Sequence, residues 1–190
     1  MEDIYITEKY FDKIDFTSEA LQKGEYEQCT FTNCDFSNTD LSEFKFLSCE
    51  FKLCNLSLAK LNHTSFSEVT FSECKMLGLD FDACNHFGFT VSFYNCLLNN
   101  SSFYQLNLKK TVFKECKLVQ VDFTQSDLSQ SQFLNSDLGE AVFDNTIIEK
   151  SDLRSAFNYS IDPERNRIKK AKFSQAGIQG LLHKYDIIVE

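Results

Sequence analysis

The sequence predicts an all-β solenoid, a chain of short extended pieces and tight corners wound into a coil. Three observations carry this expectation. Large apolar residues recur at every fifth position, a second position two residues earlier is mostly small, and the remaining positions are polar and turn-forming. From Phe11, steps of five meet fifteen large apolar residues in succession, ending at Phe81. The next step lands on His86. The beat restarts at Phe93 and holds for thirteen positions to Leu153, with Phe and Leu alternating from Phe93 to Phe143. The gap between the blocks equals two repeats plus two residues. An α-helix shows a period of 3.6 and a half-buried strand a period of 2. A period of five fits neither as a continuous element. It fits short pieces that turn the same way at each corner and stack by β-type hydrogen bonds.

The small position reads Cys29, Cys34, Thr39 and onward in the first block, and Cys96, Ser101, Leu106, Thr111, Cys116 and onward in the second. Residues two apart on an extended backbone point the same way. A large and a small side chain therefore face inward together, and the residue between them faces out. That middle residue is often Asp or Asn, as at Asp35, Asp40, Asn55, Asp122, Asp127 and Asp137. Pairs such as Ser37-Asn38 and Ser129-Gln130 supply the corners.

All eight cysteines (Cys29, Cys34, Cys49, Cys54, Cys74, Cys84, Cys96 and Cys116) fall on the small inward position. Disulfides, a zinc site or a nucleophile are the functional alternatives. With no Cys-x-x-Cys pair, the sequence favours cysteine as a small buried hydrophobe. No metal or cofactor is expected.

The chain has 190 residues, 43% hydrophobic and 25% charged, which suits one folded domain. Asp and Glu number 28 against 19 Lys and Arg, a net charge of -9. That balance argues against direct nucleic-acid binding, which needs a basic footprint. No apolar run reaches the length of a membrane span. The opening MEDIYITEKYF lacks the features of a signal peptide, so a cytoplasmic location is expected. His63, His86 and His183 are scattered, and no triad order, phosphate loop or zinc motif appears. The sequence does not predict an enzyme.

Three features remain as candidates for contact. Residues 84–91 break the beat, so Asn85, His86, Phe87 and Phe89 form either a tolerated bulge or a protruding loop that meets a partner. Between Val119 and Glu149 lie six acids (Asp122, Asp127, Asp137, Glu140, Asp144 and Glu149) and no base. Outward acids would form spaced rows. They either keep the repeat soluble and block edge pairing, or fit a basic DNA groove on a partner. After residue 157 the beat stops. Five bases follow within eight residues, Arg165, Arg167, Lys169, Lys170 and Lys172, as a counter-charge to the acidic body. Ser174 reads as a helix N-cap. Ile178, Leu181, Leu182 and Tyr185 then predict about three turns of amphipathic helix, weakened by Gly177 and Gly180. Ile187-Ile188-Val189 reads as a short strand. The expected division is 1–157 for the solenoid, broken near 84–92, and 158–190 for a cap that also dimerises the protein. Ile178, Leu181, Leu182, Tyr185, Ile187 and Ile188 would form the dimer interface.

Ser126-Asp127-Leu128-Ser129-Gln130 and Ser136-Asp137-Leu138-Gly139-Glu140 resemble the motif of the pentapeptide-repeat family. The resemblance implies a right-handed quadrilateral parallel β-helix with four pentapeptides per coil and Phe and Leu in separate stacked ladders. Several segments narrow it. Phe66-Ser67-Glu68-Val69-Thr70-Phe71, Phe123-Thr124-Gln125-Ser126-Asp127-Leu128 and Ile168-Lys169-Lys170-Ala171-Lys172-Phe173-Ser174 are similar to the branch of topoisomerase-protecting proteins. That branch holds the Qnr quinolone-resistance, microcin-immunity and albicidin-resistance proteins. It implies a DNA-mimicking homodimer, joined at the C-termini, that binds DNA gyrase or topoisomerase IV and protects it from antibiotics or toxins. The long projecting loops of many Qnr proteins are absent here. The alternative is a pentapeptide scaffold that binds some other protein.

Overall fold

The structure is a computed structural model that describes residues 4–188. The chain winds into a right-handed parallel β-helix with four sides, and twenty residues complete a coil. Strands lie on the first two sides. Strands β1 (Ile4–Thr7), β3 (Gly24–Glu27), β5 (Lys45–Leu47) and β7 (Ser65–Ser67) stack on the first. The second side holds β2 (Tyr10–Asp12), β4 (Thr30–Thr32), β6 (Glu50–Lys52), β8 (Val69–Ser72), β9 (Val91–Tyr94), β10 (Val112–Lys114) and β11 (Gln132–Leu134). The third and fourth sides are single-residue bridges, such as Asp35↔Asn55 and Asp40↔Lys60. Pairing advances by twenty, as in Phe31↔Phe51, and by twenty-two across the break, as in Phe71↔Phe93. The two inserted residues leave the stack in register on either side.

Each position of the five has a physical cause. The large residues fill the interior, where phenylalanines form ladders at the stacking distance. On the second side Phe93, Phe113 and Phe133 lie parallel, with ring centres 5.3 and 5.0 Å apart. On the fourth side Phe81, Phe103, Phe123 and Phe143 do the same. The two ladders meet edge to face, Phe103 against Phe113 at 6.0 Å. Leu98, Leu108, Leu118, Leu128 and Leu138 fill the other two sides and are fully buried.

The middle Asp closes the corner that follows it. Asp35, Asp122, Asp127 and Asp137 each accept a hydrogen bond from the N–H two residues on, at 2.8–3.1 Å. Such Asx turns explain why Asp and Asn recur there. The corner itself needs a left-handed residue, and Asn38, Asn100, Gln130 and Lys150 adopt φ near 60°. Without glycine this conformation costs on the order of 1 kcal/mol per corner. Bonds between coils offset it, such as Asn38 N–H to Ser57 C=O at 3.0 Å.

The eight cysteines are buried and unpaired by disulfides. Cys34, Cys54, Cys74, Cys96 and Cys116 stack as one column, each thiol donating to a backbone carbonyl of the preceding coil. Burial pushes the Cys49 thiol up to about 12, and raises Cys34 and Cys84 as well.

The stack runs past residue 157, which corrects the expected boundary. Ile147↔Arg167 and Asp152↔Lys172 add one more rung to the first and second sides, with Asn166 buried at the inward position. Its side chain donates to Phe143 C=O at 3.0 Å and accepts from the Thr146 N–H at 2.9 Å. Asn158 and Pro163 interrupt the large positions before Ile168 and Phe173 resume them, which hid these rungs from a reading based on apolar periodicity.

Candidate functional site

Stepping by twenty places every outward residue on a side, and the acidic stretch of 119–149 does not form one row. Asp122 and Asp144 lie on the fourth side, Asp127 and Glu149 on the first, and Asp137 and Glu140 on or beside the third. Several are already engaged. Lys109 pairs with Asp127 at 3.0 Å, Arg165 with Asp144 at 2.7 Å and Arg167 with Glu149 at 2.8 Å. Asn158 donates to Asp137 and Gln120 to Glu140. Burial pushes the Asp127 carboxyl up, but bonds from Ser129 and Lys109 outweigh it and hold it below its ordinary value. The five bases of 165–172 thus include two that neutralise the preceding coil, as the counter-charge expectation requires.

An acidic side does exist, built from a different set. The outward column of the fourth side reads Asp40, Lys60, Asp80, Ser102, Asp122 and Val142. Asp82 and Asp144 flank that column two residues beyond Asp80 and Val142, and Glu43 stands at its corner. Lys60 is the one base of the column itself. Rungs lie about 4.8 Å apart, so these carboxylates recur along the axis.

The break holds one exposed aromatic. Phe87 is 91% exposed, the highest value among the large hydrophobic residues described. The Asn85 side chain accepts the Phe87 N–H at 3.1 Å, and His86 Nε2 lies 2.9 Å from Asp82 C=O. Gly88 follows with φ 71°, in open space. Phe89 differs from expectation. It is only 7% exposed and packs against Phe66 and Phe81 at 6.3 and 6.2 Å. It occupies the core place that His86 leaves, so it is unavailable to a partner.

The C-terminal cap also differs. The expected three α-turns are two 3-10 segments, Ala176–Leu181 and His183–Tyr185. Ser174 does cap the first, accepting the Gly177 N–H at 3.0 Å. A Cβ at Gly177 would lie 2.2 Å from the Tyr159 hydroxyl, and one at Gly180 2.3 Å from its carbonyl. The glycines allow this segment to press onto the last coil, and that contact replaces α-helical geometry. Ile161 N–H donates to Gly180 C=O at 2.9 Å. Lys184 bridges Asp162 and Glu164, both at 2.7 Å, and Tyr185 donates to Glu164. Ile187 and Ile188 form no strand, and Val189 lies outside the described residues. Of the expected interface, Leu181 and Leu182 are half-buried on their own chain. Ile178, Tyr185, Ile187 and Ile188 are exposed, Ile188 by 88%.

Among the described residues no three metal-binding side chains come together. Stacked outward columns, an exposed Phe87 at the break and an apolar terminal patch define a repeat solenoid. The chain belongs to the pentapeptide-repeat family: the family model described as a pentapeptide repeat region matches residues 24–86 and 88–157. Two trypsin-treated forms of QnrB1, a plasmid-mediated fluoroquinolone resistance protein, share the fold. One has a TM-score of 0.65 and 19% identity, covering 99% of this chain and 98% of that one. The other has a TM-score of 0.62 and 19% identity, covering 100% of both. HetL, a pentapeptide-repeat protein involved in heterocyst differentiation regulation in Nostoc sp. strain PCC 7120, gives 0.42 and 15% identity over 90% of this chain and 85% of that one. No curated protein sequence matches the chain.

Proposed function

We propose that the protein is a DNA mimic that binds DNA gyrase or topoisomerase IV and protects it from a topoisomerase-targeting antibiotic or toxin. The observation that carries this reading is the acidic fourth side, where Asp80, Asp82 and Asp122 face outward on the stacked rod. Duplex DNA is also a rod with evenly spaced negative charge. The docking side is therefore the fourth, and Asp127, Asp137, Glu140 and Glu149 contribute at its margins. Asn85, His86 and Phe87 form a second contact, with Phe87 as its anchor. Two copies join through Ile178, Tyr185, Ile187 and Ile188, which doubles the length of the rod.

The test is a gyrase supercoiling assay with and without ciprofloxacin or albicidin. Protection at low protein concentration supports the reading. The triple variant Asp80→Asn, Asp82→Asn, Asp122→Asn removes three partly exposed charges worth on the order of 0.5 kcal/mol each. It should raise the protective concentration about tenfold, and less so at high salt. Full protection by that variant, or no effect of the native rod in either condition, would reject DNA mimicry by this side and leave a scaffold for another protein.

A further inference from the structure

The first coil is incomplete. Three of its sides stack on the second coil, through Tyr5↔Glu25, Phe11↔Phe31 and Asp15↔Asp35. After Phe16, whose N–H still bonds to Asp35 C=O at 2.9 Å, it leaves the stack. The N–H groups of Ser18 and Glu19 turn back onto Asp15 C=O, at 3.3 and 3.1 Å. The left-handed corners run from Glu8 and Lys13 to Gln28, omitting positions 18 and 23. The sequence contains the cause. The inward small position of this repeat is Glu19, and a buried unpaired carboxylate is too costly to enter the core.

The fourth side therefore begins one rung late, at Asp40. On later rungs the middle N–H bonds back to the preceding coil, as Lys60 N–H does to Thr39 C=O at 2.9 Å and Asp122 N–H to Ser101 C=O at 3.0 Å. Among the described residues no backbone group meets the Asp40 N–H or the carbonyls of Ser37 and Asp40. Beside this bare edge lies a cleft of about 510 Å³, walled by Phe16, Ala20, Leu21, Leu41 and Phe44.

We propose that this cleft binds an extended segment of a partner protein, added parallel to Thr39–Leu41 as the missing rung. Exposed strand edges recruit strands in this way, and the register fixes the chemistry. The segment reads small, basic, large apolar. Its small residue lies beside Thr39 and its C=O accepts the Asp40 N–H. Its large residue enters the cleft below Leu41 and donates its N–H to Asp40 C=O. The residue before the small one donates to Ser37 C=O. The basic side chain faces out beside Asp40, as Lys60 does on the other side. Hydrogen bonds from Ser42 hold the Asp40 carboxyl below its ordinary value, so it is charged at neutral pH.

The experiment titrates the isotope-labelled full chain with the peptide acetyl-Ser-Ala-Lys-Leu-Ser-amide and reads amide shifts and hydrogen exchange. The expected result is saturable shifts at residues 37–41 and slower exchange of the Asp40 amide. N-methylation of the peptide leucine, which removes one hydrogen bond, should weaken binding about fivefold. Glutamate in place of the peptide lysine should weaken it too, and Asp40→Lys should reverse that preference. Three results would each overturn the proposal. One is an absence of shifts up to about 5 mM peptide, a Kd range that signifies negligible affinity. Another is binding indifferent to both N-methylation and charge. The third is an Asp40 amide already protected in the free protein. Protection independent of concentration would place the chain's own segment in the cleft, and protection lost on dilution a second copy.

Discussion

Replacing Phe113 by alanine should cost about 4 kcal/mol of stability, within the usual range for a buried phenylalanine truncated to alanine. Phe113 is fully buried. It stacks on Phe93 and Phe133 at 5.3 and 5.0 Å and meets Phe103 and Phe123 edge-on at 6.0 and 5.9 Å. Such aromatic pairs add roughly 0.5–1.5 kcal/mol each beyond burial, which places this site in the upper part of the range. Phe113→Leu keeps most of the volume and should cost about 1–1.5 kcal/mol. Phe11 stands in the same ladder with a neighbour on one side only and is half-buried. Phe11→Ala should therefore cost about half as much as Phe113→Ala. Urea unfolding followed by circular dichroism reads all three. With an m value of about 2 kcal/mol/M, the midpoint should fall by about 2 M for Phe113→Ala. Equal losses at Phe11 and Phe113 would refute the reasoning, because they would make ladder position irrelevant.

Ile178→Glu with Ile188→Glu should yield monomers by light scattering, and an unchanged dimer would remove the C-terminal patch from the interface. The cap should also respond to acid. Lys184 hydrogen bonds hold Asp162 and Glu164 below their ordinary values. Carboxyls lowered in the folded state stabilise fully above the ordinary range, and that contribution is lost as pH falls through the lowered values. Protection of the Ile161 amide should therefore decline below about pH 4, and Lys184→Met should flatten the profile; a native profile flat to lower pH would discard the clamp. The buried thiols, closed off from solvent, should resist iodoacetamide until urea unfolds the chain. Alkylation of several cysteines in the native protein would show that the column opens readily.

The periodic body was legible because each of its positions has one dominant cause. Large residues fill the interior, and the alternation from Phe93 to Phe143 separates into phenylalanine and leucine ladders on alternate sides. The extra two residues of the break were countable, and the pairing of Phe71 with Phe93 uses that count. Surface organisation was less legible, because neighbours in space are twenty residues apart rather than five. The acids of 119–149 cluster in sequence yet scatter over the rod, whereas Asp80 and Asp122 share a column at twice the coil length plus two. Phe89 could have been found by asking which apolar residue fills the place His86 vacates. The cap was legible in its Ser174 signal and not in its helix type. Glycines read as weak helix formers were in fact contact points for Tyr159.

The hydrogen bonds between coils run along the axis of the rod, so each rung is held only by its immediate neighbours. Pulled from its ends, the molecule should behave as a zipper rather than as a clasp. Bonds would open one after another from the bare fourth side of the first coil. Each coil released would lengthen the chain by about 63 Å, twenty residues at roughly 3.4 Å each less the rung spacing of about 4.8 Å. A force trace should therefore show low, evenly spaced steps, with one irregular step where the two extra residues lie.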